Sequence, residues 1–383
     1  MDIRGLILIS TTPAADDGLL FAPAPLALLD IAGMSPLERV AERLQGHGVS
    51  PVTAIVEGKP PHQPRALLPR GMECRTATPD RFWRAAESAF RDQTQSGAEL
   101  VLVIRLGAYA EIDFEKLVQF HLEGQHRVSQ VVRGTQALEV FCVSASRRND
   151  AASLFRSRLS RCRSECESFS HSGYINPLAG PRDLRQFGID VLTLKTETLP
   201  AGTEIRPGIW VAPGASIEKG ARILAPAFIG SSARIRAGAV VTRCTAIERR
   251  AQVDCGTVVE NSTVLPYSYV GAGLDLAHSV VGMGRIANLR RNATVEVADQ
   301  KLLGQVSGGA GEKLLSAAAE LPRKIWRGLF GKAPARPPAL EEALRRPAPA
   351  LRGAAGYAAP ACDTKAAGEF ASNLAVARRY GNQ

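Results

Sequence analysis

Aromatic residues make up only 5% of this 383-residue chain, and its basic tail has few of them and no folded platform on which they would interleave with basic side chains to hold nucleic acid. No nucleic-acid partner is expected. Long apolar runs are also missing. None approaches the ~20 residues of a membrane span, and the run at residues 6–9 is too short for a signal-peptide core. The expectation is a cytoplasmic chain. Cysteine is sparse: seven residues, an odd number in a long chain, point to reduced thiols rather than a disulfide framework. Cys162 and Cys166 have no second Cys/His pair at ligand spacing near them. They read as thiols on a surface helix, and no metal site is expected. Acidic residues are outnumbered, giving a formal charge of +10. From Lys301 onward 13 Lys/Arg face 6 Asp/Glu, so 13 − 6 = +7 of that charge lies at the end of the chain. The high isoelectric point therefore describes a tail, not a basic fold.

What the chain does have is a repeat. Counting by sixes from Ile205 meets Val211, Ile217, Ile223, Ile229, Ile235, Val241, Ile247, Val253, Val259 and Leu265, every one branched and apolar. Four residues after each anchor runs a second series, mostly Ala and Thr, from Ile209 through Ala233 and Ala239 to Tyr269. A period of six with one apolar anchor per unit is the pattern of a parallel β-helix, each unit one short strand and a bend. The anchors point inward, and the residue four along stays small because it faces inward at a corner. Antiparallel strands of a sandwich would recur every 8–12 residues or so with period two instead. The spacing resembles the hexapeptide repeat of left-handed β-helix proteins, where three units make a turn. That resemblance implies the handedness and three to four turns.

Ahead of the repeat, strands and helices alternate. Residues 4–10 read as a buried strand. Residues 34–47 read as a helix with Ser35 as N-cap, Pro36 in the first turn, and Leu37, Val40, Ala41 and Leu44 on one face. A strand at 51–58, a helix at 80–93 capped by Asp80, a strand at 99–104 and a helix at 113–124 follow. Strands at 129–132 and 138–144 complete the set. Such alternation predicts a mostly parallel α/β sheet. Its chemistry belongs in the loops after Ile9 and Ile104, beyond the carboxyl ends of the strands.

The segment PLALLDIAGMSPLERVAERLQGHGV (25–49) resembles the start of a sugar-phosphate nucleotidyltransferase, an NDP-sugar pyrophosphorylase. ELVLVIRLGAYAEIDFEKLVQFH (99–121) resembles that family's strand-loop-helix at its metal site. The family joins this domain to a C-terminal left-handed β-helix, the order found here. The resemblance implies a Rossmann-like nucleotidyltransferase-type domain over 1–200 and a left-handed β-helix over 201–300. It also implies a nucleotide site at Ser10, Thr11, Thr12, Asp17 and Gly18, with a sugar-phosphate pocket at Arg105, Gly107 and Asp113. Mg²⁺ would be required if the chain is active.

The chain departs from the family at its chemistry. The family's first loop is glycine-rich and carries an Arg, so that backbone N–H groups approach the phosphates. Here the loop STTPAADDGLLFA (10–22) has one Gly, no cation and the pair Asp16–Asp17. The family's nucleotide-contacting lysine aligns with Leu26 and its Mg²⁺-holding aspartate with Gly107. Asp113 remains, in a position that also suits a helix N-cap. Three functional expectations follow. One is a silent homologue that binds a nucleotide sugar or an active partner, and the second is an active sugar-1-phosphate nucleotidyltransferase. The third, a hexapeptide-repeat acyltransferase, rests on the coil and His278. A homo-oligomer, or a complex with an active homologue, is the expected assembly.

Residues 168–207 read as a linker, in which 183–194 hold a helix and strand across the first turn of the coil. Val280, Val281 and Val295 suggest one more turn after Leu265. Within the segment 301–332, residues 312–330 form an amphipathic helix that would cap the coil, or lie peripherally on a membrane with Trp326 and its basic residues. Residues 333–383 read as a disordered basic tail rich in Ala, Pro and Arg.

Overall fold

The computed structural model describes residues 1–10, 25–58, 72–146, 148–159, 166–282 and 284–306. Ahead of the coil lie β1 (Ile3–Ile9), β2 (Val52–Glu57), β3 (Met72–Ala77), β4 (Leu100–Arg105), β5 (Tyr109–Ala110), β6 (Val128–Arg133), β7 (Gln136–Ser144), β8 (Glu167–Ser170) and β9 (Ile175–Asn176). Seven of them form one mixed sheet in the order β3-β2-β1-β4-β7-β6-β8, with β7 antiparallel to both neighbours; β5 and β9 pair with each other. Leu6, Ile7, Leu8 and Ile9 of β1 are fully buried, because a central parallel strand is covered on both faces and so carries a continuous apolar run.

Helices α1 (Pro36–Gly46), α3 (Phe114–Glu123) and α5 (Pro181–Leu192) pack on one face of the sheet. Helices α2 (Phe82–Gln95) and α4 (Arg148–Arg156) cover the other. The start of α1 is as expected: the Ser35 hydroxyl accepts from the Glu38 N–H at 3.2 Å, and the Glu38 carboxylate accepts from the Ser35 N–H at 2.7 Å. This is a complete capping box. Asp80 does not cap α2; the helix begins two residues later, with Arg81 at the cap position and no side-chain cap bond. Residues 183–194 hold a single helix, α5, and no strand. Cys166 leads into β8 rather than riding a helix, and Cys166 and Cys255 each take part in a disulfide, against the expectation of reduced thiols.

From residue 209 the chain winds into a stack of short parallel strands, three to a rung, the arrangement of a parallel β-helix. The first face holds Ile209–Val211, Ala227–Ile229, Thr245–Ile247, Thr263–Val264 and Ser279–Gly282. The second holds Ser216–Ile217, Arg234–Ile235, Gln252–Val253 and Ser268–Val270, and the third Arg222–Ile223, Val240–Thr242, Val258–Glu260 and Asp275–Ala277. Ile229, Ile235, Val241, Ile247, Val253 and Val259 are all fully buried inside, with Ala233 and Ala239 at the corners.

The six-residue register fails at both ends. Rungs are 18 residues apart up to Val241 and Val259, then 17 apart: Ile247 stacks on Val264, and Val253 on Val270. One residue is lost in the bend after Glu260. Val264 therefore takes the interior place expected of Leu265, while Leu265 points out into the core of the α/β half. Ile205 is 56% exposed, because its strand (Thr203–Arg206) pairs antiparallel beside the coil instead of forming a rung. Val281 does complete a rung. Val295 does not: it lies 55% exposed in an antiparallel hairpin of Arg285–Asn288 and Ala293–Glu296. Strand Leu303–Gln305 then pairs antiparallel with Ser268–Val270, and its buried Leu303 enters the interior cluster of the coil. The expected capping helix at 312–330 and the tail lie outside the described residues.

The two halves share one core, and residues Met1–Val306 form one compact unit. Phe228, Ala246, Leu265 and Val280 of the first coil face belong to the same apolar cluster as α1, α3 and α5. At Gly33 (φ +91°) a Cβ would stand 2.7 Å from the Phe228 ring, so this turn admits glycine alone.

Candidate functional site

The strand order reverses between β1 and β4, so the crevice beyond their carboxyl ends is the topological switch point where open α/β sheets take ligands. Arg105 ends β4 there. Its Nε donates to the Ser10 hydroxyl at 3.1 Å, and its Nη1 donates to Glu139 Oε1 at 2.7 Å. Its guanidinium lies 5.7 Å from the Trp83 ring centroid. Ser10, Arg105, Glu139 and Trp83 thus meet from β1, β4, β7 and the first turn of α2. The opposite side of that turn opens on a cleft of about 540 Å³, lined by Thr76, Ala77, Thr78, Asp80, Arg81 and Ala85.

Gly107 lies against this group. Among the described residues, a Cβ at that position would have only Glu139 Oε2 near it, at 3.7 Å. The space suits a side chain, but glycine supplies no ligand there, and Glu139 is already engaged by Arg105. The residues at this point do not fit the Mg²⁺ that the resemblance implies. Among the described residues, no three His, Cys, Asp or Glu side chains are grouped for a metal.

Asp113 is elsewhere. Its carboxylate caps α3, accepting from the Lys116 N–H at 3.0 Å and pairing with Lys116 Nζ at 2.9 Å. These contacts hold its pKa below the ordinary carboxyl value. The next residue, Phe114, packs on His47, which closes α1 at the amino edge of the sheet. Thr11, Thr12, Asp17 and Gly18 lie outside the described residues. Of the expected site, the structure brings together Ser10, Arg105 and Gly107.

Sequence reasoning missed Glu139 and Trp83, whose role depends on which strands and helices become neighbours. It also missed a charged seam between the two halves. Glu248 is fully buried and accepts from the N–H groups of Ala32 at 2.8 Å and Gly33 at 2.9 Å. Asp30, 2% exposed, pairs with Arg249 Nη2 at 2.9 Å. Arg39, also buried, donates to the Ile31 carbonyl at 2.6 Å. Burial, helped by the charge of Glu38 beside Asp30 and of Asp30 beside Glu248, pushes Asp30 up to about 7 and Glu248 up to about 8. The sequence did carry a signal: in the rung positions equivalent to Glu248 stand Ala212, Gly230 and Leu265. One acid in a column of small and apolar residues marks a specific contact.

Arg185 of α5 makes a second tie. It is buried and donates to Asn261 Oδ1 at 2.8 Å and to the carbonyls of Cys244 and Asn261. His278 stands one rung above Asn261 at a coil corner, and the two side chains meet at 2.6 Å. Among the described residues no helix is long and apolar enough to cross a membrane. No family model matches the chain, and no curated protein matches it by sequence.

Proposed function

We propose that this is a nucleotidyltransferase-like protein, Rossmann-like in its first half and left-handed in its coil. In this reading it serves sugar-nucleotide metabolism by binding a nucleotide sugar or an active partner rather than by catalysing transfer. The observation that carries the reading is the Arg105–Glu139 pair beside Gly107 at the switch point. In the transfer reaction a sugar 1-phosphate attacks the α-phosphate of an NTP and pyrophosphate leaves. The transition state needs fixed positive charge where the phosphate oxygens gain negative charge. An arginine held by a carboxylate at 2.7 Å offers that charge only in part. Each missing transition-state contact typically lowers the rate by ~10²–10³. A hydrogen-bonding arginine, a serine and an indole face still suit the sugar or phosphate of a bound ligand.

A thermal-shift screen of the full chain against NTPs and nucleotide sugars, with and without Mg²⁺, tests this. A ligand at 100 times its Kd adds about 2.7 kcal/mol, and Arg105→Ala should remove the shift. Pyrophosphate release measured in parallel should stay at background. Robust turnover would restore the active-enzyme reading, and the absence of any shift would remove the nucleotide-sugar reading and leave the partner.

A further inference from the structure

The three faces of the coil have three different surroundings. The first is covered by α1, α3 and α5. The second is a polar lattice: Arg236 pairs with Glu218 at 2.6 Å, and the Tyr269 hydroxyl donates to Asp254 at 2.6 Å. Such a face is already satisfied in water. The third is built otherwise. Its outward residues stand in two columns that run up the rungs, Arg222–Val240–Val258–Asp275 and Leu224–Thr242–Glu260–Ala277. Val240 and Val258 are half-buried in the middle of the first column, and Leu224 is 43% exposed at the foot of the second. Arg222 and Asp275 are both exposed, and neither has an ion-pair partner among the described residues.

The order of the first column is positive, apolar, apolar, negative. It becomes its own complement when reversed. A two-fold axis lying in the interface parallel to the strands, between the second and third rungs, reverses the rung order and leaves each column facing itself. Arg222 then meets Asp275 of a second copy, Val240 meets Val258, and Leu224 meets Ala277. Thr242 meets Glu260, a hydroxyl opposite a carboxylate that Arg243 of the same chain already holds. The other two-fold, along the coil axis, would set Val258 against Glu260 and Arg222 against Leu224, burying charges on apolar side chains. The column chemistry selects the antiparallel pairing.

We propose that the third coil face is the docking surface for a second copy of this chain, in an antiparallel two-fold dimer. The valines at the centre supply the apolar contact. The two Arg222–Asp275 pairs at the rim set direction and register, which is what charges at the edge of an interface do best.

Sedimentation velocity of the full chain over a range of concentrations, with four variants, tests it. The wild type should dimerise. Arg222→Asp alone and Asp275→Arg alone each set like charges against each other and should weaken the dimer tenfold or more. The double variant Arg222→Asp/Asp275→Arg restores the pairing with the signs exchanged and should return the dimer to within about threefold of wild type. Val258→Asp should abolish it. All the altered side chains lie on the outer face, so melting curves of the monomeric variants serve as the check on folding. A wild type that stays monomeric overturns the proposal. So does a dimer indifferent to the single reversals, or single reversals that the double variant does not rescue.

Discussion

The seam between the two halves should make the protein less stable as the solution becomes more alkaline. Three acids, Asp30, Glu38 and Glu248, share the buried space with two cations, Arg39 and Arg249. Glu42 and Tyr109 also act on Arg39, and Arg185 feels Glu248 from α5. With every acid ionised, the five central groups carry a net charge of 2 − 3 = −1, so one bound proton balances them. Burial raises Asp30 to about 7 and Glu248 to about 8. The folded chain therefore keeps a proton that the unfolded chain gives up near pH 4. The stability this gives is fullest below that range and is lost as pH rises through 7 to 8. One such proton is worth about 1.4 kcal/mol per pH unit, or about 2 kcal/mol between pH 6 and 7.5. For a body of this size the melting temperature should fall by about 3 °C. Glu248→Gln keeps one acceptor for the Ala32 and Gly33 N–H groups. At pH 6 it should cost about 1 kcal/mol for the lost hydrogen bond. It should also flatten the curve above pH 6, because the group at that position no longer titrates. Scanning calorimetry of both proteins from pH 5.5 to 8.5 checks this. A wild-type melting temperature that holds or climbs over the range, or a Gln variant with the wild-type slope, refutes the account.

Two further outcomes are expected. Ala233→Leu puts three extra carbons into a fully buried corner and should cost about 1–3 kcal/mol by overpacking. A wild-type melting curve would show that the corner is roomier than the structure has it. Arg185→Lys should destabilise by about 2–4 kcal/mol despite keeping the charge, since one ammonium cannot reproduce the fork on Asn261 and the Cys244 carbonyl. Chemical denaturation measures that loss, and a cost below 1 kcal/mol would show that α5 docks by its apolar face alone.

Local and periodic features were decided by the sequence. The capping box at Ser35 and Glu38 is complete within four residues, and the run in β1 can only be a strand covered on both sides. A six-residue apolar period sustained over eleven units marks the coil: an α-helix would scatter Ile229, Ile235 and Val241 around its surface, and a plain strand would be apolar at every second residue. Whatever depended on counting past an irregularity was decided by the tertiary structure. The residue lost after Glu260 makes no mark in composition, yet it exchanges the places of Val264 and Leu265, because a one-residue slip turns each side chain to the other side of a strand. The same limit governs the site. Ser10 and Arg105 could be named from the strands they end. Glu139 could not, because its meeting with Arg105 follows from β7 running antiparallel beside β4. Glu248 meets the turn at residues 32–33 across 215 residues of sequence, and only the docking of the coil on α1 brings them together.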